Sequence, residues 1–439
     1  MNNYYKYGIV GMGPAGIGLA LKLKEENEIQ NTICFERGNN NIFHACPANR
    51  TNICCNTPFC SVISGFGGAS KFSNGKISNY PAGSGLVPFF DSEEQLKTWL
   101  DKIIVYLKDN INIEEVSVND KVKKDACLFY KDRDITYKYY DVYKFNGITY
   151  QNFISNIIDD LKSHGATFAD NTEVVNITRD PITSYYKIKV KTPKNELEYN
   201  VHTLILATGA LDLNDNLICN LPGFNGRIYE IGIRVEVPSV YLKKYVSAHG
   251  DLKLKHNNIR TYCVTSNGCI VFYKTNGVYF LEGSTNSSSE TNLTNLALLV
   301  KNSDPKSVSK FLDVYKNTFN GIPITQKYDD YINMEQSFEE INTTLKRAQK
   351  GDINNLFSQD VNSALKAFIK KVLINTMGIP GKDIVLAAPE LKLIYDIDIN
   401  NQFELSSNLH IIGAATGKFR GILQSFCSGI RCGEIITRG

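Results

Sequence analysis

The first 25 residues combine a short apolar run, a glycine-rich turn and a helical pattern of apolar residues. The run ends at Val10, and apolar residues from position 17 to 23 recur at helical spacing. The glycines between them have the spacing GxGxxG and are Gly11, Gly13 and Gly16. This order predicts a strand, a tight turn and a helix whose N-terminus binds the phosphates of a dinucleotide.

A second predicted strand, 32–36, ends in an acidic residue. Glu36 lies twenty residues beyond Gly16, close to the distance of about 20 at which a carboxylate binds the nucleotide ribose. A carboxylate there repels a 2′-phosphate, so the pattern favours FAD or NAD over NADP. The alternative is a glycine-rich turn in some other α/β protein.

The middle of the chain alternates helical and extended patterns. Helices are predicted from Ser92 to Leu107 and from Thr149 to His164, with a strand-rich stretch between them. Strands follow at 165–168 and 172–177, and 186–201 has the pattern of a hairpin. The buried strand 202–206 ends in a turn of small residues, Ala207, Thr208 and Gly209, which lets the backbone pass close to a bound dinucleotide.

The second half changes to period-two alternation, which predicts a half-buried antiparallel sheet. The predicted strands are 231–238, 259–264, 269–273 and 278–282. A helical region broken by loops is predicted over 293–374. A buried strand at 409–412 then leads through a glycine-rich turn to the last helix, whose N-terminus is a second candidate anion site.

Composition narrows the class of protein. The chain has 439 residues, 43% of them hydrophobic and 21% charged, which suits a globular protein of two or three domains. Its net charge of +3 argues against nucleic acid as a partner. No apolar run is long enough to cross a membrane, and the N-terminus has no signal-peptide pattern. Eleven cysteines, an odd number, suit a reducing compartment, so we expect a cytoplasmic protein.

The motifs together resemble a known class of flavoproteins. The glycine turn, the strand of Glu36 and the turn at 207–209 are similar to those of the two-dinucleotide-binding-domain, glutathione-reductase-like flavoproteins, which bind FAD. Stretches 64–76, 232–238, 260–263, 389–390 and 420–424 more closely resemble the uncharacterised bacterial FAD-dependent dehydrogenase family. The chain departs from the pattern at Ala414, where similar families carry an acid, and at Asn74, where they carry an aspartate.

The resemblance implies an α/β fold: a Rossmann-like FAD-binding domain of discontinuous segments with an inserted β-rich α+β substrate domain. The predicted FAD-binding segments are 1–90, 146–227 and 389–439, the cap elements are 91–145, and the substrate domain is 228–388. The residues predicted to contact FAD are Gly11, Gly13, Pro14, Ala15, Gly16, Glu36, Arg37, Gly67, Gly68, Ala69, Ser70, Lys76, Val174, Ala207, Thr208, Gly209, Gly413, Ala414, Gly421 and Ile422.

Four residues are candidates for catalysis. Arg234 and Glu236 alternate with apolar residues, so they share one face of a strand. They form either a substrate-facing pair, with Arg234 holding a carboxylate, or a structural ion pair. Tyr262 is a candidate proton donor. Arg420, like Lys76, is a candidate for stabilising negative charge near the flavin pyrimidine, or else contacts a phosphate or helix end.

The cysteines at 46–60 form a separate cluster, whose members are Cys46, Cys54, Cys55 and Cys60. Free structural thiols are the leading interpretation. A redox-active pair and a zinc or iron–sulfur site are the alternatives, although adjacent cysteines suit one tetrahedral ion poorly. No metal is predicted. Cys263 is interpreted as a small core residue.

The predicted activity is that of an FAD-dependent oxidoreductase that transfers a hydride between a small organic substrate and flavin N5. NAD(P)H binding transiently, or an electron-transfer partner, would supply or accept the electrons, because a second complete dinucleotide motif is absent from the sequence. A flavin monooxygenase is one alternative. A flavin-containing redox sensor or complex subunit without turnover is another.

Overall fold

The computed structural model describes the whole chain except residues 1–3, 40–45, 47–52, 56, 73–74, 117, 212, 214–215, 248, 286–290, 303 and 439. In chain order its strands are β1 (Tyr4–Val10), β2 (Thr32–Phe35), β3 (Lys76–Ser78), β4 (Ile113–Val116), β5 (Thr136–Tyr137), β6 (Val142–Phe145), β7 (Thr167–Ala169), β8 (Glu173–Arg179), β9 (Tyr186–Lys191), β10 (Glu196–Leu206), β11 (Phe224–Pro238), β12 (Leu254–His256), β13 (Ile259–Thr265), β14 (Cys269–Thr275), β15 (Val278–Ser284), β16 (Leu293–Asn302), β17 (Ile324–Lys327), β18 (Gln349–Lys350), β19 (Val385–Ile397), β20 (Glu404–Ser406) and β21 (Leu409–Ile411). Its helices are α1 (Pro14–Glu25), α2 (Glu93–Asn110), α3 (Asp120–Lys131), α4 (Gly147–Ser163), α5 (Asn216–Cys219), α6 (Ser239–Ser247), α7 (Pro305–Phe319), α8 (Tyr328–Asn333), α9 (Gln359–Phe368) and α10 (Ile422–Arg438).

The first large sheet has a parallel centre built from distant parts of the chain. Its main order is β20-β21-β10-β1-β2-β7, and β21, β10, β1, β2 and β7 run parallel. β9 adds to β10 antiparallel, and β8 adds to β9. The carboxyl ends of β1, β2, β10 and β21 therefore meet at one edge, which is where doubly wound folds bind nucleotides.

Two helices pack closely on this sheet because glycines let their backbones approach. A methyl group at Gly18 of α1 would lie 2.5 Å from the carbonyl oxygen of Phe426 in α10. A methyl group at Gly429 would lie 2.0 Å from the carbonyl oxygen of Ala15. This contact fixes the C-terminal segment beside the glycine turn at the N-terminus of the chain.

The second large sheet is mostly antiparallel and has the order β18-β17-β19-β11-β16-β13-β12-β5. β14 and β15 form a hairpin, and β3, β6 and β4 form a small third sheet. A Rossmann-like parallel sheet made from discontinuous segments, together with a β-rich α+β unit, confirms the predicted fold class.

Several elements differ from the sequence expectation. Residues 293–302 form strand β16 in the centre of the second sheet and not the start of a helical region. Helix α3 lies inside the stretch that was expected to be strand-rich. The expected domain limits at 227/228 and 388/389 fall inside β11 and β19, which pair with each other. The β-rich unit therefore includes residues on both sides of those limits.

None of the helices in the described ranges combines the length and the apolar character needed to span a lipid bilayer.

Candidate functional site

The turn between β1 and α1 has the conformation that the glycine spacing predicts. Gly11 has a φ of 99°, in the region that favours glycine, and a methyl group there would lie 2.6 Å from the carbonyl oxygen of Ala207. At Gly16 a methyl group would lie 2.1 Å from the carbonyl oxygen of Gly11, so this glycine lets helix and turn pack closely. At Gly13, by contrast, an added methyl group meets nothing within 4 Å. The backbone is therefore open to a ligand at the N-terminus of α1.

Glu36 holds the loops around this turn with its carboxylate. Oε2 accepts a hydrogen bond from the N–H of Met12 at 2.9 Å. Oε1 accepts from the N–H groups of Gly38 and Gly65 at 2.9 and 2.8 Å. A carboxylate accepts about four hydrogen bonds, so with respect to the described residues one position remains, on Oε2. Glu36 lines the cavity described below, and that position is available to a single ribose hydroxyl.

A cavity of about 1960 Å³ begins at this turn and extends to the second sheet. Pockets for drug-sized ligands measure about 300–1,000 Å³, so this one has room for a dinucleotide and a substrate together. Most residues predicted to contact FAD line it: Gly11, Gly13, Pro14, Ala15, Glu36, Arg37, Gly68, Ala69, Ser70, Lys76, Val174, Ala207, Thr208, Gly209, Ala414, Gly421 and Ile422. FAD contact itself stays a prediction for all of them.

Three of the predicted contact residues support the wall from behind and do not line the cavity. Gly16 packs on the turn, as described above. The N–H of Gly67 donates to the carbonyl oxygen of Met12 at 2.8 Å. The N–H of Gly413 donates to Oγ of Ser428 at 3.0 Å, and a methyl group at Gly413 would lie 2.7 Å from the side chain of Ala15. Asn74, the departure noted in the loop, lies outside the described residues.

The far wall of the cavity is one face of the second sheet. In β11, Glu230 lies opposite Lys301 of β16 and opposite Lys392 of β19. In β13, Arg260 lies opposite Lys255 of β12. Directly opposite residues point to the same face of a sheet. The register therefore collects four basic residues and one acid from five strands, and all five residues line the cavity.

Glu230 joins the two arginines of this wall. Its Oε1 accepts a hydrogen bond from Arg260, and its Oε2 accepts one from Nη2 of Arg420 at 3.2 Å. Burial raises the pKa of the Glu230 carboxyl, but the two guanidinium groups outweigh burial and hold the pKa below its ordinary value. Arg420 reaches the wall from the turn before α10. We name Glu230, Arg260 and Arg420 the arginine pair site.

Tyr262 lies beside this site with cations around its ring. Lys253 Nζ is 4.4 Å from the ring centroid, and the guanidinium carbons of Arg260 and Arg420 are 5.0 and 5.4 Å from it. Each distance is within the range of a cation–π interaction. Tyr262 also lines the cavity, so the structure brings the predicted residues Tyr262 and Arg420 together.

Lys76 and Lys253 share one buried carboxylate next to Tyr262. Lys76 Nζ lies 3.1 Å and Lys253 Nζ lies 3.6 Å from the Asp251 carboxylate. The hydroxyl of Tyr140 also donates to Asp251, at 2.9 Å. Burial lowers the pKa of Lys76 despite its partner, and the two lysines together hold the pKa of Asp251 well below its ordinary range against the effect of burial.

Arg234 and Glu236 do not face the cavity, which corrects the expectation of a substrate-facing pair. Arg234 is fully buried and binds Glu390 through Nε and Nη2, at 2.6 and 2.9 Å. Its Nη1 donates to Asn295 at 2.6 Å. Glu236 is also buried and accepts hydrogen bonds from Thr344. The alternation correctly placed both on one face, but that part of the face is covered.

The cysteine cluster lies on the cavity wall, with Cys46, Cys54, Cys55 and Cys60 all lining it. All are free thiols, and burial raises the pKa of Cys60 to about 11. Among the residues that the structure describes, three or more His, Cys, Asp or Glu side chains are nowhere grouped to hold a metal ion. Cys263 also lines the cavity, with a φ of 43°, in place of the core position that was expected.

Several residues of the wall were missed by the sequence analysis: Glu230, Asp251, Lys253, Glu282 and Lys392. Glu230 carried a usable signal, because it lies four residues before Arg234 in the same alternating strand. Lys253 and Lys392 carried no such signal in the sequence, since only the pairing of distant strands brings their segments to this face.

No protein-family model matches the chain, and no curated protein matches it either, so the specific dehydrogenase family stays a prediction. Solved structures with a similar fold include a flavoprotein/dehydrogenase from Cytophaga hutchinsonii, with 11% identity, 99% of this chain and 78% of that chain covered, and a TM-score of 0.43. p-Nitrophenol 4-monooxygenase from Pseudomonas putida shows 12% identity, coverage of 100% and 80%, and a TM-score of 0.41. Glycine oxidase from Geobacillus kaustophilus shows 13% identity, coverage of 100% and 95%, and a TM-score of 0.40. Similarity at this level does not bear on what this chain binds or catalyses.

Proposed function

We propose that this chain is an FAD-dependent oxidoreductase that moves a hydride between a small organic substrate and the flavin. The observation that carries the proposal is the open backbone at Gly13, on the N-terminus of α1, at one end of a cavity of about 1960 Å³. The other end of the same cavity is a wall of charged side chains. A cofactor that binds phosphate at one end and reacts at the other suits that shape.

The residues present fit the cofactor. The N–H groups at the start of α1 and the helix dipole favour a pyrophosphate, and no Cβ at Gly13 stands in its way. Glu36 retains one acceptor position for a ribose hydroxyl, and Arg37 and Val174 line the same end of the cavity. When bound, FAD would supply hydride acceptance and donation at N5.

The roles of this chain's own residues follow from where they lie. Arg420, next to the turn at Gly421, would hold negative charge with its guanidinium group. Tyr262 would hold or deliver a proton from its hydroxyl. Lys76, paired with Asp251, would act by positioning rather than as a free charge. NAD(P)H, binding transiently, or a protein partner would exchange electrons with the loaded protein.

The absorption spectrum of the purified protein tests the cofactor. We expect flavin bands, and FAD in the material released by denaturation. Gly13→Ala should abolish the bands while the circular dichroism stays unchanged, because the added methyl group stands in the open turn and meets no protein atom within 4 Å. Lys382→Gln, which changes an exposed residue outside the cavity, is the control and should keep the bands. Colourless wild-type protein that takes up no FAD would contradict the proposal.

Oxygen uptake separates this activity from its alternatives. A dehydrogenase or reductase should exchange electrons with its substrate under anaerobic conditions. NAD(P)H oxidation that consumes oxygen and yields an oxygenated product would instead identify a monooxygenase. A flavin that no donor reduces would identify a redox sensor or complex subunit without turnover.

A further inference from the structure

We infer that the arginine pair site binds an oxyanion, so that the substrate is a small organic molecule carrying a carboxylate or phosphate group. The inference names the substrate class of the proposed oxidoreductase and to that extent rests on the proposed function. The observations behind it concern hydrogen-bond donors, charge and access to the cavity.

Arg260 and Arg420 have N–H donors that are not used in hydrogen bonds to the described residues. A guanidinium group carries five N–H donors, and within the described residues Arg420 and Arg260 each donate to Glu230 alone, through Nη2. Neither arginine is among the residues with buried polar atoms that lack a partner. The remaining donors therefore reach solvent, and both side chains line the cavity.

The charges around Tyr262 do not balance. Four cations lie there, Lys76, Lys253, Arg260 and Arg420, but within the part of the chain that the structure describes only two carboxylates pair with them, Asp251 and Glu230. Uncompensated charge in a partly enclosed cavity is costly, and a bound anion would offset that cost. The fork geometry of a guanidinium group matches the two oxygens of a carboxylate or phosphate.

The part of the cavity that leads to the arginine pair site also carries positive charge. Lys138, Lys255 and Lys301 are exposed and line the cavity, and none of them forms an ion pair within the described part of the chain. Over the whole lining there are eleven Lys and Arg residues against five Asp and Glu residues, whereas the complete sequence has 48 against 45. A cleft of one sign attracts ligands of the other sign and raises their association rate.

Titration of the purified flavin-loaded protein with three matched probes tests the inference. The probes are benzoate, phenyl phosphate and benzamide, and the flavin absorbance and the melting temperature are both followed. We expect saturable binding of benzoate or phenyl phosphate, weakened by salt, and no binding of neutral benzamide over the same range. Whichever anion binds more tightly identifies the group as carboxylate or phosphate.

Variants then locate the site. Arg420→Gln and Arg260→Gln should each weaken binding of the anion at least tenfold, and Arg420→Lys should restore part of the loss. Lys382→Gln, which removes an exposed cation outside the cavity, should bind as the wild type does. A site that merely supports the fold would lower the melting temperature of Arg420→Gln without changing its affinity for the anion.

Two results would overturn the inference: equal binding of benzamide and the anions, or unchanged affinity in both arginine variants. A result that rejects the proposed function can be distinguished from these two. A protein that takes up no FAD but still shows anion binding by melting temperature, lost in Arg420→Gln, would reject the oxidoreductase and retain the oxyanion site.

Discussion

Two arginine clusters lie on the same face of the second sheet and have opposite characters. Glu230 and Arg234 are four residues apart on β11, yet Glu230 opens onto the cavity with Arg260 and Arg420, whereas Arg234 is enclosed with Glu390. Arg234 donates through all three of its nitrogens. Within the described residues, Arg420 donates through one. Arg234 is therefore bound on all sides by partners inside the protein, whereas Arg420 pairs with Glu230 and keeps further N–H donors beside the cavity.

The β14–β15 hairpin causes the difference. Its residues Glu282 and Gly283 lie over Arg234: Nη2 is 3.4 Å from Glu282, and a methyl group at Gly283 would lie 2.4 Å from Nη1. Glu230, which precedes Arg234 in β11, instead contacts Arg420 in the turn before α10. Residue type and alternation are therefore insufficient to identify a site. A distant segment of the chain can pack over charged residues, and this packing determines which of them a substrate can contact.

The largest expected effect is on the enclosed cluster. Glu390→Gln leaves Arg234 charged and buried without its bidentate partner, which should cost about 3–5 kcal/mol of unfolding free energy. Glu230→Gln is the matched control and should cost about 1.5 kcal/mol, because its arginines can turn to cavity water. Urea denaturation of the two variants measures both. Equal losses would mean that the two clusters do not differ as described.

A methyl group added next to Arg234 should have a smaller effect. Gly283→Ala places Cβ 2.3 Å from Oγ1 of Thr265 and 2.4 Å from Nη1 of Arg234, and such overpacking costs about 1–3 kcal/mol. In the background of Arg234→Met, where the guanidinium group is gone, the same substitution should cost markedly less. A double-mutant cycle by urea denaturation checks this coupling. Strictly additive losses would contradict the enclosure of Arg234 by the hairpin.

The contrast also shows which features the sequence could predict. The turn at Gly11, helix α4 and the β9–β10 hairpin follow from local spacing, and the structure has all three. Strand β16 was missed because its run of apolar residues is buried on both faces and lacks the alternation of a half-exposed strand. Lys253 and Lys392 of the cavity wall were missed for a different reason. Lys253 lies just before β12 and Lys392 belongs to β19, and only the long-range pairing of strands in the second sheet brings these segments together.

The predicted roles of Arg234 and Arg420 show the same limit. Both are arginines in glycine-containing stretches of the sequence, and for both a functional role and a structural role stayed open. Local pattern correctly placed Arg234 and Glu236 on one face of β11. The pattern around Arg234 could not predict that the β14–β15 hairpin covers this residue, since the register of the hairpin depends on residues 269–284.

The smallest expected effect is on the pH dependence of stability, and it has opposite signs at Glu230 and Glu236 of β11. Burial raises the pKa of Glu236 above its ordinary value even though Thr344 donates to the carboxylate. At Glu230 burial also raises the pKa, but Arg260 and Arg420 outweigh it and the pKa is lowered. The folded protein therefore holds the Glu236 proton more tightly than the unfolded chain does, and the Glu230 proton less tightly.

The direction of each pH effect follows from the linkage between proton binding and folding. The stability that Glu236 contributes is complete below the unfolded pKa of about 4.3 and is lost as the pH rises through the folded pKa. The stability that Glu230 contributes is present above about pH 4.3 and is lost as the pH falls through its folded pKa. Each pKa unit of difference corresponds to about 1.4 kcal/mol. From acidic to neutral pH, wild type should thus lose stability relative to Glu236→Gln and gain it relative to Glu230→Gln. Urea denaturation across that range measures both differences, and the same slope for the two variants would show that the two carboxylates share one environment.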